Sequence, residues 1–228
     1  MHQFANPMIT EIAKNTLQKN LEQKDFILIG LVGSTGAGKN TAAEILKAND
    51  AYVIDADKVT HNVLNKNADK IIATFQNLIN PESLKTKDGQ LNRKALGNLL
   101  FSNQQLLQKH ENIVFPEITK AIKSEIANAK RKHKIIILNA PTLHKTTLIN
   151  DCNFIIYISA CTLIRILRIK KRDSISITSI LSRIKNQKDF RKFYRNRDKI
   201  IFLKNNGTKN KLKQKLNAGI NELKEIIL

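Results

Sequence analysis

Residues Phe26 to Thr41 read FILIGLVGSTGAGKNT, and this stretch decides how the rest of the chain is understood. The apolar run Phe26 to Val32 predicts a buried strand, and the residues from Thr41 to Ala48 predict a helix. Between them Gly33, Gly36 and Gly38 let the backbone turn tightly enough to point successive N–H groups at one spot. The dipole of the following helix adds partial positive charge there, and Lys39 adds a full one. Such a nest suits a nucleotide polyphosphate. The spacing G-x-x-x-x-G-K-[ST] holds from Gly33 to Lys39, but the last position carries Asn40 instead of the hydroxyl residue that ligates Mg²⁺. The Asn40 amide oxygen is a weaker ligand for that ion, and Thr41 or water are alternatives.

Outward from the loop, Asn49-Asp50 marks a turn and Ala51-Tyr52-Val53-Ile54 a second strand, which ends in Asp55-Ala56-Asp57. Ligands of open α/β sheets lie beyond the carboxyl ends of parallel strands, so Asp55 is placed to face the phosphates. Asp57 reads as the cap of a helix over Lys58 to Leu64. From Lys58 to about Lys132 the periodicity is helical, with apolar faces at Ile71, Ile72 and Phe75, at Leu96, Leu99 and Leu100, and at Ile113, Ile118, Ile122 and Ile126. Strands return at Lys134 to Leu138 and Phe154 to Ile158, both continuous apolar runs of the kind covered on two faces in parallel sheets. A basic helical stretch runs from Thr162 to Asp198, followed by a short strand at Ile200 to Leu203, a turn at Asn205-Asn206-Gly207 and a last helix from Lys209 to Ile227. Ahead of the first strand, Ile9, Ile12, Ala13, Thr16, Leu17 and Leu21 fit either an added amphipathic helix or a disordered leader.

The chain has 228 residues and a formal net charge of +20, with 5% aromatic residues and two cysteines. Its length suits one domain with insertions. No run approaches the ~20 apolar residues of a membrane helix, and the N-terminus carries Glu11, Glu22 and Asp25, unlike a secretory or transit signal. Cys152 and Cys161 lack C-x-x-C spacing and point to a reducing compartment, the cytoplasm. The charge is spread along the chain with few aromatics to stack bases, so nucleic acid is not the expected partner. Arg165, Arg191 and Arg195 read as solvated helix surface, and His61, His110 and His133 as surface or satisfied histidines, because no metal-ligand spacing accompanies them.

A second group of motifs lies in order along the chain: Val53-Ile54-Asp55-Ala56-Asp57; Asp88 to Leu96, DGQLNRKAL; Phe101-Ser102-Asn103; Arg168 to Asp173; Arg183 with Gln187; and Asn205-Asn206-Gly207. From Ile27 to about Leu223 this set resembles the dephospho-CoA kinases, P-loop kinases similar to the nucleoside monophosphate kinases. The chain departs from that pattern at Asn40, at Ala140 to Lys145, where the family has V-P-L-L-[FY]-E, and at Val114-Phe115-Pro116, where it has L-H-P.

The resemblance implies an α/β P-loop kinase fold, a five-stranded parallel sheet flanked by helices. The core would be 26–57 with 133–161 and 198–228, the helical CoA-substrate domain 58–132, the lid 162–197, and 1–25 an N-terminal extension. It implies transfer of the ATP γ-phosphate to the ribose 3′-hydroxyl of dephospho-CoA by a cytoplasmic monomer with no membrane partner. ATP would be held by Gly33, Ser34, Thr35, Gly36, Ala37, Gly38, Lys39, Asn40, Thr41, Arg168 and Arg172, with Mg²⁺ met by Asn40. Asp55, Lys39 and Arg168 would be catalytic, and Asp55, Asp57 and Arg93 would meet the acceptor. The altered loop leaves a slow kinase, a kinase of another small acceptor and a silent nucleotide or RNA binder as further readings.

Overall fold

The computed structural model describes residues 26–228 other than 102, 196, 198 and 228, and the backbone alone at 223, 224, 226 and 227. The helix or leader expected before residue 26 lies outside the described residues.

Five strands form the sheet: β1 (Ile27–Gly33), β2 (Tyr52–Asp55), β3 (Ile135–Asn139), β4 (Phe154–Ser159) and β5 (Ile200–Lys204), in the order β2-β3-β1-β4-β5. Every pairing is parallel. The central strands β1 and β3 are buried at every position, which is why their sequences are continuous apolar runs instead of alternating ones. Register brings the strand ends together: Asp55 pairs with Asn139, Asn139 with Leu31, and Leu31 with Ile156. At the end of β1, a Cβ on Gly33 would overlap the carbonyl oxygen of Ile158, so close strand contact requires glycine there.

Helix α1 (Lys39–Lys47) begins at Lys39, two residues ahead of the expected start, because Gly38 at φ 98° makes the whole turn out of the loop. The chain then runs through α2 (Ala56–Lys66), α3 (Ala68–Phe75), a 3₁₀ turn at Pro81–Leu84, α4 (Arg93–Phe101) and α5 (Gln104–Ala129) before β3. Helix α6 (Leu148–Asp151) precedes β4; α7 (Thr162–Asp173), α8 (Ile177–Asn186) and α9 (Lys192–Arg195) lie between β4 and β5; α10 (Lys209–Ile227) closes the chain. The basic stretch is thus broken into three helices. Ser174 at φ 49° ends α7, and the Ser176 hydroxyl caps α8 by accepting the Ser179 N–H at 3.2 Å.

Among the described residues two compact units result: Ala56–Glu125, and the sheet unit formed by 26–55 and 126–227. In the sheet unit, Ala42, Ala43, Ile45 and Leu46 of α1 and Leu212, Leu216 and Ile220 of α10 share a buried core with Ile27, Ile29 and Leu31 of β1. The smaller unit is helical, and the one isolated bridge described in it joins Lys85 and Leu91 around the turn at Gly89, φ 72°. Its buried side chains include Ile71, Phe75, Leu84, Leu96, Leu100, Val114 and Ile118. Asn80 starts its 3₁₀ turn by accepting the Glu82 N–H at 3.0 Å, and Asn92 starts α4 by accepting the Ala95 N–H at 3.2 Å.

Candidate active site

The glycine loop stands at the carboxyl end of β1, with Gly36 at φ 74° and Gly38 at φ 98°. These are left-handed conformations that glycine adopts without steric cost. Its backbone is held from outside by four side chains. Arg165 Nε donates to the Thr35 carbonyl at 2.8 Å, and the Gln187 amide oxygen accepts the Thr35 N–H at 2.7 Å. Asn205 Nδ2 donates to the Ala37 carbonyl at 2.8 Å, where Arg168 Nη1 also reaches at 3.4 Å. Arg168 further binds the carbonyls of Asn205 at 3.0 Å and Gly207 at 3.1 Å. Ser34 Oγ and Tyr157 OH lie 3.2 Å apart. With these carbonyls tied outward, the loop keeps the concave form that gathers N–H groups around an anion.

Lys39 Nζ donates to Asn139 Oδ1 at 2.5 Å and to Asn40 Oδ1 at 3.3 Å. Asn139 is 4% exposed, at the carboxyl end of β3 and in register with Asp55. Sequence reading did not select Asn139. The available signal was its place as the first residue of a connection leaving a strand at the ligand end of the sheet. Asp55 is half-exposed at the end of β2, whereas Asp57 is exposed in the first turn of α2, past the cap position expected for it. There its charge complements the helix dipole. Arg93 is exposed at the first position of α4 in the smaller unit.

Arg168 and Arg172 both lie on α7, as expected, but in different company. Arg172 pairs with Asp173 at 2.6 and 2.9 Å, and Arg183 of α8 reaches the same carboxylate at 2.8 Å. The hydrogen bond from Arg172 holds the Asp173 carboxyl below its ordinary range, and the same bond raises Arg172. The reading of Arg165 as solvated surface is overturned. Its guanidinium is half-buried against the loop, burial lowers its proton affinity, and its Nη2 is buried with no hydrogen-bond partner. Spacing on a basic helix cannot separate such an arginine from its exposed neighbours. Arg195 is exposed, and Arg191 lies 5.0 Å over the Phe202 ring.

His144 stands where the resemblance would place an aromatic residue, and Lys145 where it would place an acidic one. Its ring stacks on Phe193, with centroids 4.5 Å apart, and meets the edge of Phe190 at 5.0 Å. Its backbone N–H donates to the buried Tyr194 hydroxyl at 3.2 Å, and its Nδ1 lies 3.1 Å from the same oxygen. Burial, then Lys145, lowers the His144 pKa, and burial raises Tyr194. His110 departs from its expected role: it is 8% exposed, its Nδ1 has no partner, and burial lowers its pKa. His133 lies against Tyr52, centroids 5.0 Å apart.

Beside the loop is a cavity of ≈ 390 Å³ lined by Ser34, Tyr157, Arg165, Leu181, Gln187 and Arg191, among others. The described residues contain no group of three or more His, Cys, Asp or Glu side chains able to hold a metal by themselves. The exposed Asn40 amide oxygen and the carboxylate at the end of β2 are nevertheless hard oxygen donors. Such a donor set fits a magnesium ion held mainly by phosphate oxygens.

A family model described as dephospho-CoA kinase matches residues 27–211. The dephospho-CoA kinase of Treponema pallidum is 43% identical over 166 residues, covering 72% of this chain and 79% of that protein. That of Treponema denticola is 40% identical over 195 residues, covering 83% and 87%. Among solved structures, TT1252 from Thermus thermophilus superposes with a TM-score of 0.73 at 26% identity, covering 87% of this chain and 98% of that one. Dephospho-CoA kinase from Campylobacter jejuni gives 0.68 at 24% identity, with 89% and 98% covered, a likeness of fold.

Proposed function

The chain belongs to the dephospho-CoA kinase family, and from that premise we propose a division of labour among its residues. As a member it is an ATP-dependent phosphotransferase acting on dephospho-CoA, the last step of CoA synthesis. The observation that carries the residue assignment is a formed glycine loop whose Lys39 is held by Asn139, the register neighbour of Asp55.

Lys39 and the glycine-loop N–H groups other than those of Thr35 and Ala37, which are held by Gln187 and the Ser34 carbonyl, bind the β- and γ-phosphates of ATP, and Asp55 accepts the proton of the ribose 3′-hydroxyl as its oxygen attacks the γ-phosphorus. The new O–P bond forms as the bond from the γ-phosphorus to the β,γ-bridging oxygen breaks, and ADP leaves. Arg168 and Arg172 offset charge on the transferring group, each first exchanging its present partner for phosphate oxygens. Arg93 and Asp57 serve the acceptor. Magnesium, met by Asn40, would neutralise charge on the phosphate oxygens. The enzyme works as a monomer in the cytoplasm, a reducing compartment that suits its two free cysteines.

The test is formation of CoA from ATP and dephospho-CoA with Mg²⁺ or Mn²⁺. Asp55→Asn should lower kcat by about 10²–10⁴, the usual worth of a general base, while the Kd for ATP changes little. Retained turnover would remove Asp55 from that role. Repeated absence of CoA with folded parent protein would remove the assignment as a whole.

A further inference from the structure

Each peptide plane whose N–H meets the anion must keep that orientation, and nothing in glycine enforces this. At Gly36 and Gly38 a plane can flip with little intrinsic cost, since glycine accepts both signs of φ. A flip of the plane between Thr35 and Gly36 would turn the Gly36 N–H outward and present the Thr35 carbonyl oxygen to the anion. We propose that Arg165 and Gln187 are positioning residues that prevent this, holding the planes on both sides of Thr35 in the orientation that ATP requires. Arg165 fixes the Thr35 carbonyl outward at 2.8 Å, and Gln187 fixes the Thr35 N–H at 2.7 Å. The inference rests on the reading of this loop as the ATP site.

Both residues come from far along the chain, Arg165 from α7 and Gln187 from the residue that closes α8. Helix α7 leans directly on the loop. A Cβ on Gly36 would lie 2.8 Å from the Arg165 carbonyl oxygen and 2.9 Å from Ile169 Cγ1. The other loop carbonyl, that of Ala37, is held by Asn205 and Arg168. The loop is therefore shaped from outside before any phosphate arrives, and its shape is coupled to the seating of α7 and α8. By linkage, whatever unseats these helices weakens ATP, and bound ATP strengthens their seating by the same factor.

The experiment is calorimetric titration of ATP with Mg²⁺, without acceptor, into the parent chain and into Gln187→Met, Arg165→Lys and Arg165→Ala. Gln187→Met keeps the volume of a half-buried side chain and removes only the acceptor. ATP should bind about three- to tenfold more weakly to Gln187→Met and about tenfold more weakly to the Arg165 variants, the range of single neutral and charged hydrogen bonds. The KM for dephospho-CoA and the Tm of the ligand-free protein should stay at parent values in Gln187→Met, and the double variant should lose less than the product of its singles. ATP affinity within about twofold of the parent in Gln187→Met overturns the proposal, as does a parallel fall in ATP affinity, acceptor KM and Tm. Should Arg165→Ala fail to fold, Gln187→Met still decides. A parent that binds ATP but forms no CoA defeats the kinase assignment alone, whereas variants that bind ATP like an active parent defeat this inference alone.

Discussion

At the scale of single residues, the P-loop lysine donates to two neutral amides, Lys39 Nζ reaching Asn40 Oδ1 at 3.3 Å and Asn139 Oδ1 at 2.5 Å. A hydroxyl at position 40 would offer magnesium a compact ligand without competing for the ammonium group, whereas the amide oxygen is shared with it. Asn40→Ser should therefore raise kcat/KM at limiting Mg²⁺ by about tenfold, the scale on which one supporting ligand tunes metal affinity. Activity measured across a magnesium titration checks this, and an unchanged curve would show that position 40 does not limit the metal. The Lys39 contact with Asn139 could not be read from either residue's local sequence. The two are 100 residues apart and meet because β1 and β3 are neighbours.

At the scale of elements, the close approach of β1 to β4 depends on Gly33. Its added Cβ would overlap backbone at Ile158, and backbone cannot swing away as a flexible side chain would. Gly33→Ala should destabilise the protein by about 2–4 kcal/mol, in the upper range of single substitutions, measured by urea unfolding. An effect near zero would mean that the strand ends can part without cost. The strands themselves were legible from their sequences, because runs such as Ile135 to Leu138 and Phe154 to Ile158 leave little else for an apolar segment of that length to be. The basic stretch from Thr162 was legible only as helical. Its division at Ser174 and Ser176 depends on a left-handed residue and a hydroxyl cap, and the inward turn of Arg165 depends on where α7 meets the loop.

At the scale of the whole molecule, two half-buried or buried histidines make stability depend on pH. His144 in the sheet unit and His110 in the helical one both have pKa values lowered from 6.5 by burial. A lowered folded pKa means that below about pH 6.5 the unfolded chain binds protons the folded chain refuses. Their contribution is complete above that pH and is lost as pH falls from 6.5 toward the folded values. Urea midpoints should thus drop between pH 7.5 and 5, and His110→Leu should flatten part of that drop while leaving stability at pH 7.5 at or above the parent's, since Nδ1 has no partner to lose. An unchanged slope would exclude His110 as a source. Hydrophobic period, glycine spacing and the order of short motifs by themselves determined the strands, the polyphosphate loop and the family, because each is written within a few dozen residues and answers to local backbone geometry. Only the tertiary structure decided which side chains shape that loop. Arg165, Gln187, Asn205 and Asn139 reach Thr35, Ala37 and Lys39 from 100 to 168 residues away, and such contacts follow from strand order and helix seating, which no local pattern encodes.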